Sequence, residues 1–133
     1  MNAVVADTHA AIWFYMDNPR LSATAGAAMD AAISAGSPVF LSPISLVEVI
    51  SLIEKRRVPA DTYPLLCDAL DDPFFGLYLA PLDMGVAATM RLIPRADVPD
   101  MPEQIIAATA LHLELPPISC DRKIKASAID TIW

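Results

Sequence analysis

A short apolar, partly β-branched run at positions 3–6 is followed at once by Asp7 and then by a helical pattern. Such a run is typical of a buried strand, so the change of pattern predicts a strand-to-helix junction at Asp7. In open α/β sheets, ligands bind at the carboxyl ends of the strands. Asp7 is therefore a candidate site residue. It can equally be the N-cap of the helix, accepting from the amide of residue 9 or 10, and the two roles are compatible.

The same alternation of strands and helices continues along the chain. Ser42 and Pro43 form a strong helix start directly after the second strand, as Asp7 does after the first. We predict further strands at 37–41, 74–79, 116–120 and 129–133. We predict helices at 22–36, from Ser42 to Arg57, at 61–70, at 83–93, from Pro102 onward and at 122–127. This order predicts an α/β fold with a mostly parallel central sheet flanked by helices, and 133 residues suit a single domain spanning 1–133.

Glu48 is the second informative acid. Ser45, Glu48 and Ser51 recur every three residues in an otherwise apolar segment, which predicts a narrow polar row on the helix that follows Ser42. A charged carboxylate in such a row is either at the surface or compensated by a partner. Because the helix begins at the same rim as Asp7, we treat Glu48 as a candidate site residue, with a plain surface position as the alternative.

Two further acids complete the set. Glu103 lies in the first turn of the helix that Pro102 begins, where the helix dipole alone favours a negative charge. Asp121 follows the strand predicted at 116–120. Two unit charges about 4 Å apart repel by roughly 4 kcal/mol at an effective dielectric of 20, so such a cluster must protonate, disperse or bind a cation. Oxygen ligands alone favour Mg²⁺ or Mn²⁺ over zinc, and such ions support phosphodiester hydrolysis.

Composition restricts the partners of the chain. A net charge of −7 disfavours a polyanionic partner unless basic residues are grouped, and they are: one group is Lys55, Arg56 and Arg57, and the other is Arg122, Lys123 and Lys125. Each group is either solvated surface or a contact for phosphates.

Several features of the sequence argue against particular kinds of site or location. No apolar run approaches the roughly 20 residues of a membrane span, and no Lys or Arg precedes Asp7, so we expect a cytoplasmic protein without a membrane partner. Cys67 and Cys120 lack a metal-binding or disulfide spacing and are predicted to be core thiols. We interpret His9 as an ordinary polar residue of the first helix, outside the metal site.

Four segments together resemble the PIN-domain toxins of the VapC type: Asp7 with Thr8 and His9, Glu48 within 45–49, the segment 100–110, and the segment 119–124. The resemblance runs in order along the whole chain. It implies a Rossmann-like PIN fold, an endoribonuclease that depends on Mg²⁺ or Mn²⁺, and a dimer inhibited by a cognate antitoxin. By position, Asp7, Glu48 and Asp121 match acids of the family.

Glu103 departs from this pattern, because the family usually has aspartate there, and Gln104 stands where arginine often follows. The longer side chain reaches a metal differently, or only through water, which weakens the expected metal affinity. Asp100 is a potential substitute, although a loop or N-cap role suits it better. Ser119 is a potential hydrogen-bonding partner of the site.

Our leading hypothesis is an endoribonuclease toxin of a toxin–antitoxin pair, acting as a homodimer or in a hetero-oligomer with its antitoxin. In it Asp7, Asp121 and Glu103 bind the ion, and Glu48 completes the catalytic set. Lys55, Arg56 and Arg122 then contact the phosphates of the RNA. The alternative is a catalytically weakened PIN-fold protein-binding module. A phosphoacceptor domain is disfavoured, because such domains have Asp pairs or Asp-x-Asp and position nine is His.

Overall fold

A four-stranded parallel sheet forms the centre of the molecule, in a computed structural model that describes residues 2–127 and 129–133. The strands are β1 (Val4–Ala6), β2 (Val39–Leu41), β3 (Leu77–Leu79) and β4 (Pro117–Ile118). The strand order is β3-β2-β1-β4, so β1 lies between β2 and β4. The predicted α/β class and parallel sheet are confirmed.

Within the described residues, seven α-helices flank this sheet. They are α1 (Thr8–Tyr15), α2 (Ala23–Ser34), α3 (Pro43–Glu54), α4 (Thr62–Asp71), α5 (Met84–Thr89), α6 (Met101–Leu113) and α7 (Arg122–Ala126). The predicted helix starts are confirmed where a side chain caps the first turn. Asp7 accepts from the amide of Ala10 at 2.8 Å, and Ser42 accepts from that of Ile44 at 3.2 Å. Such caps satisfy amides that have no partner within the helix.

The prediction of a strand over 74–79 is wrong in its first half. Residues Pro73–Phe75 form a 3₁₀ turn, and Gly76 has a left-handed backbone with φ of 68°. A Cβ atom at Gly76 would lie 2.9 Å from Cγ1 of Ile33, so both the backbone and the packing require glycine there. The strand therefore begins only at Leu77.

Three other boundaries differ from prediction. The helix begun by Asp83 ends at Thr89 and gives way to a 3₁₀ segment, Met90–Leu92. The fourth strand is limited to Pro117–Ile118. Among the described residues of 129–133, pairing with the sheet is a single parallel bridge between Ile118 and Ile132, so the predicted last strand is wrong.

The core covers both faces of β1. Val4 and Ala6 pack in the cluster that includes residues of α1, α2 and α4, whereas Val5 packs with Ile106 and Ala110 of α6. This alternation follows from the period of two in a strand. It leaves the polar residues that follow the strands at the edge of the sheet.

Cys67 and Cys120 are free thiols and only half-buried, so their prediction as core residues is wrong.

None of the helices in 2–127 and 129–133 combines the length and the apolar character needed to cross a membrane.

Candidate functional site

Three neighbouring parallel strands end at the same edge of the sheet and deliver most of the candidate acids to it. Asp7 follows β1 directly, Glu48 lies in the second turn of the helix after β2, and Asp121 lies three residues beyond β4. The helix that leads into β4 starts at this edge and carries Glu103 in its first turn. Four distant parts of the chain thus contribute a carboxyl group to one region, as strand-end geometry predicts.

Asp7 is both a helix cap and a buried member of this region. The residue is 8% exposed, and its Oδ1 accepts from the Ala10 amide at 2.8 Å. Burial raises the pKa of Asp7 above its ordinary value of 3.8, and the nearby charge of Glu48 raises it further. The nearby hydroxyl of Ser119, the Ala10 amide and the neighbouring His9 lower the pKa of Asp7. Hence the cap and site roles do coexist in Asp7.

Ser119 lies between two of the acids. Its fully buried Oγ accepts from the backbone N–H of Asp121 at 3.0 Å, and it lies near enough to Asp7 to lower the pKa of that carboxyl. Asp121 in turn caps α7, where its Oδ1 accepts from the amides of Lys123 at 2.9 Å and Ile124 at 3.0 Å. The Ser119 hydroxyl therefore fixes the backbone at the end of β4 beside Asp7.

Glu48 faces the interior of the site. The hydroxyl of Thr8 donates to Oε1 of Glu48 at 2.5 Å, and Thr8 Oγ1 also lies 2.9 Å from Oγ of Ser45. On the same helix the apolar Val47 is 60% exposed and Ile50 is 43% exposed. The polar row thus points inward and apolar residues point outward, which favours the site interpretation of Glu48 over the surface one.

Glu103 has a strongly raised pKa. Burial raises its pKa from 4.5 to about 7, and the charges of Glu48, Asp121 and Asp100 contribute to the rise. The four predicted acids are therefore close enough to influence one another's protonation. Among residues 2–127 and 129–133, however, no three His, Cys, Asp or Glu side chains are grouped tightly enough to hold one metal ion.

The donor set nevertheless suits a hard divalent cation. All four candidate side chains carry a carboxyl group, and besides burial the charges of Glu48 and Asp121 raise the pKa of Glu103. A divalent cation relieves this kind of repulsion, and oxygen-only donors are those that Mg²⁺ and Mn²⁺ prefer. The residues present fit such an ion in chemistry, and the ligand set itself remains a prediction.

The predicted phosphate contacts divide into two locations. Arg122 is exposed and follows Asp121 directly at the start of α7. Lys55 caps the carboxyl-terminal end of α3 and Arg56 follows it, both exposed. Lys55 is seven residues beyond Glu48, which corresponds to about 10 Å along the helix axis. Of these three residues, Arg122 is the one that directly follows an acid of the site in the chain.

His9 lies beside Asp7, and its ring packs against that of Trp13 with the centroids 5.4 Å apart. The ring centroids of Trp13 and Trp133 are 5.9 Å apart.

Thr8 is the site residue that the sequence analysis missed as a hydrogen-bonding partner. The one available signal was its position next to Asp7, which does not reveal that its hydroxyl reaches α3.

A family model describing the PIN domain matches residues 4–129, nearly the whole chain. The chain belongs to the PIN domain family. The matched range includes every acid described above, so the PIN domain assignment and the strand-end cluster concern the same part of the molecule. A comparison with curated proteins found no match.

Two solved structures resemble this PIN domain in fold. VapBC2 from Rickettsia felis, solved with a DNA fragment from its promoter, aligns with a TM-score of 0.70 and 12% identity, over 97% of this chain and 96% of that one. FitAcB from Neisseria gonorrhoeae aligns with a TM-score of 0.60 and 19% identity, over 96% of this chain and 95% of that one. Both alignments cover nearly the full length of each chain.

Proposed function

We propose that this PIN domain is an endoribonuclease that depends on Mg²⁺ or Mn²⁺ and acts as the toxin of a toxin–antitoxin pair. The observation that carries the proposal is the convergence of Asp7, Glu48, Glu103 and Asp121 at one edge of the sheet, where burial raises the pKa of Asp7 and Glu103 and neighbouring carboxylates add to the rise. Carboxyl groups whose pKa is raised by burial and by neighbouring charges are typical of functional sites.

Asp7, Asp121 and Glu103 are the residues that would hold the ion, and Glu48 would complete the catalytic set. When bound, a divalent ion activates a water and stabilises the leaving oxygen of a phosphodiester. The chain itself contributes the orientation of the acids, since the Ala10 amide donates to Asp7 and the Ser119 hydroxyl fixes the backbone of Asp121. Arg122, exposed beside Asp121, is suited to contact an RNA phosphate. Lys55 and Arg56 would contact RNA only beyond the site.

A protein partner is supported by exposed apolar side chains. Among the described residues, Phe74, Met84 and Leu92 are each more than 70% exposed, and Val47 and Ile50 add an apolar face on α3. Large exposed apolar side chains are typical of interaction surfaces. The two structural neighbours are the VapBC2 and FitAcB structures. We therefore propose a cognate antitoxin, a homodimer or toxin–antitoxin hetero-oligomer, and action on RNA in the cytoplasm.

The decisive test is RNA cleavage by the purified protein with Mn²⁺ or Mg²⁺, with EDTA, and with the Asp7→Asn variant. We expect cleavage with metal that is abolished by EDTA and by Asp7→Asn. Asp30→Asn is the matched control, because it removes the same charge at an exposed position of α2 and should leave cleavage intact. Cleavage that persists in both EDTA and Asp7→Asn would contradict the proposal.

A second candidate is a catalytically weakened PIN-fold binding module. It is favoured by glutamate at position 103 and by the lack, within the described residues, of three acids already in coordinating positions. Calorimetric titration with Mn²⁺ separates the two candidates. Binding below millimolar Mn²⁺ favours the nuclease, whereas no heat of binding at millimolar Mn²⁺ favours the module.

A further inference from the structure

We propose that Thr8 is a positioning residue of the acidic site, and that its hydroxyl, supported by that of Ser45, holds the Glu48 carboxylate in a fixed orientation through Oε1. This inference rests on the proposed metal-dependent function. It adds a residue pair and a mode of action to the four acids.

The first argument is geometric. Thr8 Oγ1 lies 2.5 Å from Oε1 of Glu48 and 2.9 Å from Oγ of Ser45. Thr8 is 3% exposed and Ser45 is fully buried, whereas Glu48 is only half-buried. The two hydroxyls therefore form the dry side of the contact, and the carboxylate forms the side that opens toward the other acids. Buried polar groups of this kind are satisfied by one another and hold a defined geometry.

The second argument counts protons. A threonine hydroxyl has one proton to donate, and an ionised carboxylate has none. With Glu48 ionised, the Thr8 proton must therefore lie on the bond to Glu48. The Ser45 proton must then lie on the bond to Thr8. The hydrogen bonds consequently run in one direction, from Ser45 to Thr8 to Glu48, and each donor strengthens the next.

The consequence concerns the two oxygens of Glu48. Oε1 accepts from Thr8, so the orientation of the carboxylate is fixed and Oε2 keeps both of its lone pairs for an ion or for water at the site. Thr8 also follows Asp7 directly in the chain, so the same residue fixes the relative placement of Asp7 on α1 and Glu48 on α3. Without the hydroxyl, Glu48 is free to rotate and the acids lose their common orientation.

A purely structural role for the pair is less suited to the contacts. The start of α1 is already capped by Asp7, and the start of α3 by Ser42 with Pro43. The Thr8 hydroxyl is thus not needed to begin either helix. Its shortest contact is with the carboxylate rather than with a backbone group.

The test measures Mn²⁺ affinity by calorimetry without RNA, and then kcat and KM for RNA cleavage. Thr8→Val keeps the shape and removes the hydroxyl, Thr8→Ser keeps the hydroxyl, and Ser45→Ala removes only the second donor. Thr62→Val is the matched control, because Thr62 is fully buried at the start of α4 and its hydroxyl contacts the sulfur of Met16.

We expect Thr8→Val to weaken Mn²⁺ binding by about 10- to 100-fold, the usual cost of losing a group that orients a metal ligand. Ser45→Ala should weaken it less, Thr8→Ser should restore it, and Thr62→Val should leave it unchanged at a similar loss of thermal stability. Cleavage should fall in kcat with KM for RNA unchanged, because Thr8 does not contact RNA.

Equal Mn²⁺ affinity in wild type and Thr8→Val overturns the positioning role and leaves the nuclease proposal intact. If Thr8→Val does not fold, Ser45→Ala decides: weaker binding supports the role, and unchanged binding overturns it. Wild-type protein that binds no Mn²⁺ overturns both proposals, so the two failures are distinguishable.

Discussion

Replacing Glu103 by glutamine should stabilise the metal-free protein at alkaline pH. Glutamine keeps the size of the side chain and removes the charge that burial and the nearby acids disfavour. In the folded protein the pKa of Glu103 is about 7, above its ordinary value of 4.5. Between these pH values the folded state binds more protons than the unfolded state. The free energy of unfolding therefore falls as pH rises through this window, and the full penalty is present above pH 7.

The size of the effect follows from the pKa. A rise from 4.5 to about 7 corresponds to about 3.4 kcal/mol at 1.36 kcal/mol per pKa unit. Glu103 is only part-buried, and solvent screens its interactions with the other acids. We therefore expect roughly half of that value, about 1.5 kcal/mol at pH 8. For a chain of this length the gain corresponds to about 5 °C in Tm.

The assay is thermal unfolding followed by circular dichroism in EDTA at pH 5 and pH 8. The gain in stability from Glu103→Gln should be about 1.5 kcal/mol at pH 8, which corresponds to about 5 °C in Tm. It should shrink to below about 0.5 kcal/mol at pH 5, where folded Glu103 is already protonated. Glu54→Gln is the control, because it removes one negative charge at an exposed position on α3. It separates the local effect from the reduced net charge.

Two results would refute this reasoning. One is a Glu103→Gln protein no more stable than Glu54→Gln at pH 8. The other is a gain of equal size at pH 5 and pH 8, because a group that titrates near 7 cannot produce it. Addition of Mn²⁺ provides a further check, since it should stabilise the wild type and leave Glu103→Gln unchanged if Glu103 is a ligand.

Three further predictions concern the buried serine, Asp7 and the glycines. Ser119→Ala should lower the free energy of unfolding by about 1–3 kcal/mol in urea titrations, because it leaves the backbone N–H of Asp121 without its buried acceptor. Asp7→Asn should raise Tm in EDTA at pH 8, since asparagine keeps a capping oxygen and lacks the charge that burial disfavours; an unchanged or lower Tm would contradict this. Gly36→Ala should cost about 1 kcal/mol for its left-handed backbone, and Gly76→Ala at least about 1 kcal/mol more, because its Cβ would also meet Ile33; equal costs would contradict the contact.

Much of the fold was predictable because its signals are local. A cap acts on amides two or three residues away, and the proline at position 43 acts on its own helix turn, so the neighbouring sequence contains all the information. The wrong predictions fall where pairing or packing decides. Residues 129–133 have a strand-like composition, yet pairing with β4 is limited to one bridge among the described residues.

The acids themselves were predictable from their positions, but their environment was not. Helical periodicity indicates which residues share a face, and it identified the row of Ser45 and Glu48. It does not indicate which face is buried, and the apolar Val47 and Ile50 are exposed while Ser45 is buried. Only the packing of α3 against its neighbours decides that orientation.

The sequence by itself determined where the capped helices begin, because a cap acts within one helical turn, and that the strands are parallel, because strands that alternate with helices pair in parallel. The tertiary structure decided that Thr8 reaches Glu48, 40 residues away, that Ser119 lies beside Asp7, and that the pKa of Glu103 rises. Those contacts join segments far apart in the chain. Hydrogen bonding and desolvation depend on the distances between such segments, which only the folded arrangement defines.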